Sequence, residues 1–104
     1  MALTEKQAIE IGHKVMQDIG YGSMWDKSQN VTGVFIDKTK LIYEDEEYWI
    51  VGFPYGKEDY GENVEFMISI YNISEKAINI SYRNGFIKLG YDEANDKYYI
   101  AERR

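Results

Sequence analysis

The sequence predicts an α+β domain in which one N-terminal amphipathic helix packs on an antiparallel β-meander of about five or six strands. Two observations lead to this prediction. Apolar residues at helical spacing are confined to the segment before Gly20, and the rest of the chain consists of short β-rich segments separated by turn residues. A length of 104 residues is typical of one domain, so residues 1–104 are taken as a single unit.

The helix is predicted over residues 5–19. Thr4 and Gln7 have the spacing of a capping box, in which each side chain accepts a hydrogen bond from the other residue's backbone amide. Gly20 stands where a helix-ending glycine is favoured. The residues that recur at helical spacing and form the apolar stripe are Ala8, Ile11, Gly12, Val15, Met16 and Ile19.

No helical pattern separates the strands, so they are expected to pair with their neighbours along the chain. The predicted strand segments are 31–36, 41–43, 48–53, 64–73, 77–82, 86–91 and 97–102. Pro54 is expected to end the segment 48–53, and residues 55–61 are expected to form a loop. Asn84-Gly85 predicts a tight hairpin turn because both residues tolerate positive φ. Asp92–Asp96 is interpreted as a polar turn, because it lacks the ligand spacing of a calcium loop.

Composition argues against several classes of protein. The chain has no cysteine, so disulfides and thiolate metal sites are excluded. No apolar run approaches the ~20 residues that a membrane span needs. The first apolar stretch is interrupted by Glu10, His13, Lys14, Gln17 and Asp18, unlike a secretory signal. A soluble, cytoplasmic protein without cofactor is therefore expected. The net charge of −6 offers no basic footprint for nucleic acid.

The negative charge is concentrated in one stretch. Residues 37–65 contain nine acidic and three basic residues, which accounts for the whole net charge of −6. Tyrosines, which favour protein interfaces, are interleaved with these acids. We interpret the stretch as a surface for a basic protein partner; the alternative is a solvated turn between two strands. The predicted partner-binding residues are Glu44, Asp45, Glu46, Glu47, Tyr48, Tyr55, Glu58, Asp59, Tyr60 and Glu62.

Catalytic residues are not evident. His13 is the only histidine, and it is predicted to be an exposed residue on the flank of the helix away from the apolar stripe. The glycines do not form a phosphate-binding loop, and no nucleophile motif is present. We therefore predict that the chain is not an enzyme. The alternative is a small-molecule-binding or enzymatic domain whose pocket lies between helix and sheet, with Tyr71, Asn79 and Tyr82 as its polar groups.

Three segments carry a resemblance to a known group. They are Ala8–Gly12 in the opening helix, Glu47–Gly52 with its Trp-Ile-Val core, and Met67–Ile78. This layout resembles small bacterial immunity proteins of polymorphic-toxin and contact-dependent growth inhibition systems, which have PepSY-like or nuclear-transport-factor-like sheets. The turn Ser74-Glu75-Lys76 departs from the pattern because it lacks the glycine often found there.

The resemblance implies a function. Such proteins bind a cognate toxin and neutralise it by covering its active site. Many of these toxins are nucleases with basic substrate channels, which would give the acidic stretch a target. A phage-type nuclease inhibitor would use the same charge complementarity and is a further alternative.

Overall fold

The computed structural model describes residues 3–25, 27, 30–37, 39, 46–57, 63–82 and 85–104, and for residues 56, 57, 63 and 64 it describes the backbone alone. In these ranges one helix, α1 (Glu5–Asp18), precedes the sheet. The strands are β1 (Thr32–Ile36), β2 (Tyr48–Lys57), β3 (Asn63–Tyr71), β4 (Ala77–Tyr82), β5 (Gly85–Asp92) and β6 (Lys97–Arg103). They form one antiparallel six-stranded sheet in chain order, so the predicted α+β meander is confirmed.

Both ends of α1 are defined by local hydrogen bonds. The Gln7 amide donates to Thr4 Oγ1 at 3.2 Å and the Thr4 amide to Gln7 Oε1 at 2.9 Å, which confirms the capping box. At the other end Gly20 has φ +85°, and its amide donates to the Gln17 carbonyl. The Tyr21 amide donates to the Met16 carbonyl at 2.7 Å. This is a Schellman motif, and it ends the helix at Asp18, one residue before the predicted end.

The helix covers one side of the sheet, which we call the helix face; the other side is the open face. Ala8, Gly12, Val15 and Met16 are buried against it. A Cβ atom on Gly12 would lie 2.9 Å from Phe53 Cε1, so glycine at this position lets α1 approach β2 closely. The fully buried side chains that the sheet contributes to this core are Val51, Phe53, Ile68, Ile70, Ile80 and Ile87.

Three strand predictions differ from the structure. β3 ends at Tyr71, whereas the predicted segment extends to residue 73, and the other two differences involve bulges. β2 continues through Pro54 to Lys57, with a register shift between Pro54 and Gly56 that accommodates the missing proline amide donor. In β4, Ala77 pairs with Ile70 and Asn79 with Ser69, so Ile78 is the extra residue of a bulge. Ala77 and Ile80 are therefore both buried, although simple alternation would separate them.

Two other predicted elements lie partly or wholly outside the described ranges. Gly85 lies within β5 opposite Tyr82, so residues 83 and 84 connect β4 to β5 and lie outside the described part. The predicted segment 41–43 also lies outside it. Within the described ranges no helix is long and apolar enough to cross a membrane.

Asn72 is a buried polar residue whose side chain connects the segment before α1 to the sheet. Its side chain is 5% exposed, and its Oδ1 accepts hydrogen bonds from the Leu3 amide at 2.9 Å and from Trp49 Nε1 at 3.2 Å. Its own amide donates to the Glu47 carbonyl at 3.0 Å. One side chain thus joins the segment before α1, the start of β2 and the end of β3.

Replacing Asn72 by alanine should lower the free energy of unfolding by about 1–3 kcal/mol, because one buried and one partly buried donor lose their acceptor. Urea denaturation followed by circular dichroism measures the change. Asn30→Ala, at an exposed coil position, is the matched control and should change stability by less than about 0.5 kcal/mol. Equal stability of the two variants would contradict the role given to Asn72.

Candidate partner-binding surface

Strand β2 divides the predicted partner-binding residues into two groups. Glu46, Glu47 and Tyr48 lie at its start, and Tyr55 lies near its end. β2 has 10 residues, which at about 3.3 Å per residue separates its two ends by about 30 Å. The predicted residues that lie outside the described part are Glu44, Asp45, Glu58, Asp59, Tyr60 and Glu62.

The two described tyrosines of this set face opposite sides of the sheet. Tyr48 pairs with Tyr71 on the open face. The Tyr55 ring packs on Phe66 on the helix face, with ring centroids 4.4 Å apart. The structure therefore does not bring Tyr48 and Tyr55 together.

The fold instead gathers carboxylates at the end of the sheet where β2 begins. In an antiparallel meander every second connection lies at the same end. The connections here are β1–β2, β3–β4 and β5–β6. We call this the acidic end; its described carboxylates are Asp37, Glu46, Glu47, Glu75, Asp92, Glu93 and Asp96. Five of them, Asp37, Glu75, Asp92, Glu93 and Asp96, are not among the predicted site residues.

Glu46, in the β1–β2 connection, forms hydrogen bonds with the β3–β4 turn. Its Oε1 accepts hydrogen bonds from the Ile73 amide at 3.3 Å and from the Ser74 amide at 3.5 Å. The same turn contains Glu75 with φ +60°, a conformation that non-glycine residues adopt rarely. Glu46 therefore stabilises the turn in addition to contributing charge to the acidic end.

A second set of contacts fixes the β5–β6 turn. The Tyr91 hydroxyl donates a hydrogen bond to Asp96 Oδ1, which raises the pKa of Tyr91 to about 12. Lys76 Nζ lies 4.0 Å from the centroid of the Tyr91 ring, in a cation–π contact. Lys14 Nζ donates to the Asp96 carbonyl at 2.7 Å and pairs with Asp18 at 3.0 Å. Lys14 and Lys76 are thus engaged by neighbouring residues of the same chain.

Asp92 shapes the outer part of that turn. It accepts hydrogen bonds from the Asn95 side chain at 2.6 Å and from the Ala94 amide at 3.1 Å. The Asn95 side-chain hydrogen bond is the main cause that lowers the pKa of Asp92, so the carboxylate is ionised at neutral pH. This geometry confirms the predicted polar turn. No group of three or more His, Asp or Glu side chains in the described ranges could hold a metal ion.

His13 is exposed, as predicted, but it is not remote from the apolar contacts. Its ring packs edge-on against Phe53 with centroids 5.0 Å apart, and it lies 5.7 Å from the Trp25 ring. Trp25 reaches this position because the chain turns back after Gly20 and packs against the core. The prediction that His13 lies away from the apolar side is therefore wrong.

The three polar residues assigned to a pocket between helix and sheet do not share one. Tyr71 and Asn79 line a hollow of about 400 Å³ on the open face. Tyr82 lines a different hollow, of about 340 Å³, together with Tyr21, Tyr55 and Phe66 on the helix side. The register explains this separation. Asn79 pairs with Ser69 on the open face, whereas Tyr82, two residues after the buried Ile80, packs on Phe66 on the helix face.

Comparison with known proteins gives no match: no family model, curated protein or solved structure is significantly similar to the chain.

Proposed function

We propose that this chain is an immunity protein that binds a basic cognate toxin and covers the toxin's active site. The observation that carries the proposal is the convergence of acidic side chains from three separate connections at one end of the sheet. The described part of this end has seven carboxylates and three lysines, Lys14, Lys76 and Lys97. Glu44 and Asp45 directly precede Glu46 in the sequence and add to the negative charge of this segment.

The acidic end would bind by imitating the phosphates of a nucleic-acid substrate. Two of its lysines make contacts within the domain, Lys14 with Asp18 and Asp96 and Lys76 with the Tyr91 ring, and the exposed Glu75 and Glu93 are accessible to a partner. Complementary charge accelerates association to ~10⁸ M⁻¹s⁻¹ or more at low salt, compared with ~10⁵–10⁶ M⁻¹s⁻¹ for an uncharged pair. In this proposal the chain acts in the cytoplasm and catalyses no reaction.

Tyr48 is the proposed anchor of the complex. It follows Glu47 directly and lies where the acidic end meets the open face. A tyrosine buried at an interface contributes a large contact area and slows dissociation. Tyr55 lies near the other end of β2, so it is not part of this proposed interface, and Glu58, Asp59, Tyr60 and Glu62 lie outside the described part.

The first experiment is capture of partners from the source cells on the tagged chain, followed by mass spectrometry. We expect one stoichiometric basic protein that is toxic when expressed alone and tolerated when the chain is co-expressed. Recovery of the tagged chain alone, or of a partner whose expression is harmless, would overturn the proposal.

The second experiment assigns the interface. In the triple variant Glu47→Gln, Glu75→Gln, Glu93→Gln, association with the captured toxin should slow on the order of tenfold at low salt, because long-range attraction is weakened. The difference from wild type should shrink as salt rises. Tyr48→Ala should instead speed dissociation, by about 2 kcal/mol or roughly 30-fold. Surface plasmon resonance at two salt concentrations measures both rates. Glu46 is kept because it stabilises the β3–β4 turn.

Glu102→Gln is the control for this experiment. Glu102 is exposed, lies at the opposite end of the sheet, and pairs with Arg104. We expect its association rate to differ little from wild type. An unchanged rate for the triple variant would remove the acidic end from the interface, and a slower rate for Glu102→Gln alone would assign the interface to the other end.

A further inference from the structure

The open face of the sheet is apolar where a solvated face is usually polar. Antiparallel sheets with one solvated side alternate apolar and polar residues along each strand. None of the described β1 and β2 residues that lie on the open face has a charged side chain. These residues are Thr32, Val34, Ile36, Tyr48, Ile50, Gly52 and Pro54. Val34 is 54% exposed, and Met67, on the adjacent β3, is 43% exposed.

The open face also has two halves of different shape. Val34 and Met67 project from the half formed by β1, β2 and β3. The half formed by β4 and β5 contains the hollow of about 400 Å³, which is lined by Tyr71, Ile78, Asn79 and Phe86 together with Lys88 and Arg104. If a twofold axis passes between these halves, the projecting half of one copy meets the hollow half of the other. A surface that carries both shapes is complementary to itself.

Charge on this face does not favour a basic partner. The described charged residues on this face are three bases, Lys88, Lys97 and Arg104, and three acids, Glu65, Asp92 and Glu102, so their formal charges balance. Glu102 pairs with Arg104 at 3.2 Å, and the Glu65 carboxylate lies over Gly52. The excess negative charge of the molecule lies at the acidic end instead. A second copy of the same apolar and almost neutral face therefore matches it better than a basic protein does.

The dimensions of the face suit a specific interface. The six strands contain 45 residues in all, which at about 3.3 Å along the strand and about 4.8 Å between strands gives a face of roughly 700 Å². A standard interface buries about 800 Å² of accessible surface per partner, and projecting side chains raise the accessible area above the flat area. Two sheets stacked about 10 Å apart, with strand directions within about 30°, form a common protein architecture.

From these observations we propose that two copies of this chain pair through their open faces as a symmetric sandwich of two sheets. The proposal does not depend on the proposed toxin, because it rests on the open face; the acidic end lies at the rim of such a sandwich, and so does Tyr48 at the start of β2, which belongs to both surfaces. Each copy carries a net charge of −6, so the copies repel each other at long range. Salt screens this repulsion, and the dimer should become stronger as salt rises.

Sedimentation velocity of the purified chain between about 1 and 500 µM, at two salt concentrations, tests the proposal. We expect a concentration-dependent monomer–dimer equilibrium whose dissociation constant falls when salt is raised. Met67→Asp and Val34→Asp should each weaken the dimer at least tenfold, because each places a charge in the interface twice. Both sites are about half exposed, so the monomers should keep the wild-type circular dichroism spectrum and melting temperature.

Ile73→Asp is the matched control. Ile73 is 66% exposed in the β3–β4 turn, outside the open face. Its substitution by aspartate should leave dimerisation close to wild type. A wild-type chain that stays monomeric throughout this range would overturn the proposal, as would a dimer that Ile73→Asp weakens as much as Met67→Asp does. Loss of toxin capture by folded Met67→Asp with unchanged self-association would assign the open face to the toxin instead and would also overturn it.

Discussion

Replacing Val15 by aspartate should leave the protein largely unfolded under conditions in which the wild type is folded. Val15 is 0% exposed and lies in the middle of the apolar stripe of α1. An unpaired carboxylate there costs on the order of 3 kcal/mol or more, a large part of the roughly 5–15 kcal/mol that holds a domain of this kind together. Thermal and urea denaturation followed by circular dichroism measure the loss.

Gln17→Asp is the control for this variant, because Gln17 is exposed on the same helix and acquires the same new charge. We expect a change of less than about 1 kcal/mol, arising mainly from the helix dipole. If the Val15→Asp protein had the same melting temperature as the wild type, α1 would not pack on the sheet through this side.

Phe53→Ala should destabilise the protein by about 3–5 kcal/mol. Phe53 is 0% exposed and is the largest of the fully buried side chains. It contacts α1 next to Gly12 and packs edge-to-face with Trp25 at 5.2 Å and with His13 at 5.0 Å. Its removal would leave a cavity that three separate segments line, so collapse around it cannot be complete. Chemical denaturation gives the difference in unfolding free energy.

Phe35→Ala makes the same chemical change at a half-buried site on the edge strand β1, where Phe35 packs on Trp49. Its cost should be clearly smaller, on the order of 1–2 kcal/mol, because less surface returns to water. If the two variants were equally stable, the core would not be centred on Phe53.

The elements that the sequence predicts well depend on local signals. The start of α1 follows from Thr4 and Gln7, which are three residues apart, and its end follows from Gly20. β4 was predicted with its observed bounds, Ala77–Tyr82. The bulges at Pro54 and Ile78 were missed because a bulge is a property of two paired strands, and single-strand alternation contains no information about the partner.

The candidate surface shows a different limit. Residues 44–62 are close in sequence, and the interpretation treated them as one surface. Among the described residues, β2 separates Glu47 and Tyr48, at its start, from Tyr55, near its end, and the two tyrosines lie on opposite faces of the sheet. Glu75 and Glu93 join Glu47 at one end only through the strand order, and their positions in the sequence gave no reason to group them. The number of charges can be counted in the sequence, whereas their arrangement on the surface can be determined only when the strand order is known.

The order of the strands also has a consequence for how the chain folds. Every strand pairs with its neighbours in the chain, so the sheet can grow hairpin by hairpin across short connections. The contacts that hold α1 are much longer in range. Lys14 meets Asp96 across 82 residues, Asp18 meets the Tyr98 amide across 80, and the Leu3 amide meets Asn72 across 69. Strand pairing brings these distant partners together and shortens the effective loop that helix docking closes to the segment between α1 and β1, so we expect the helix to dock after the sheet has formed.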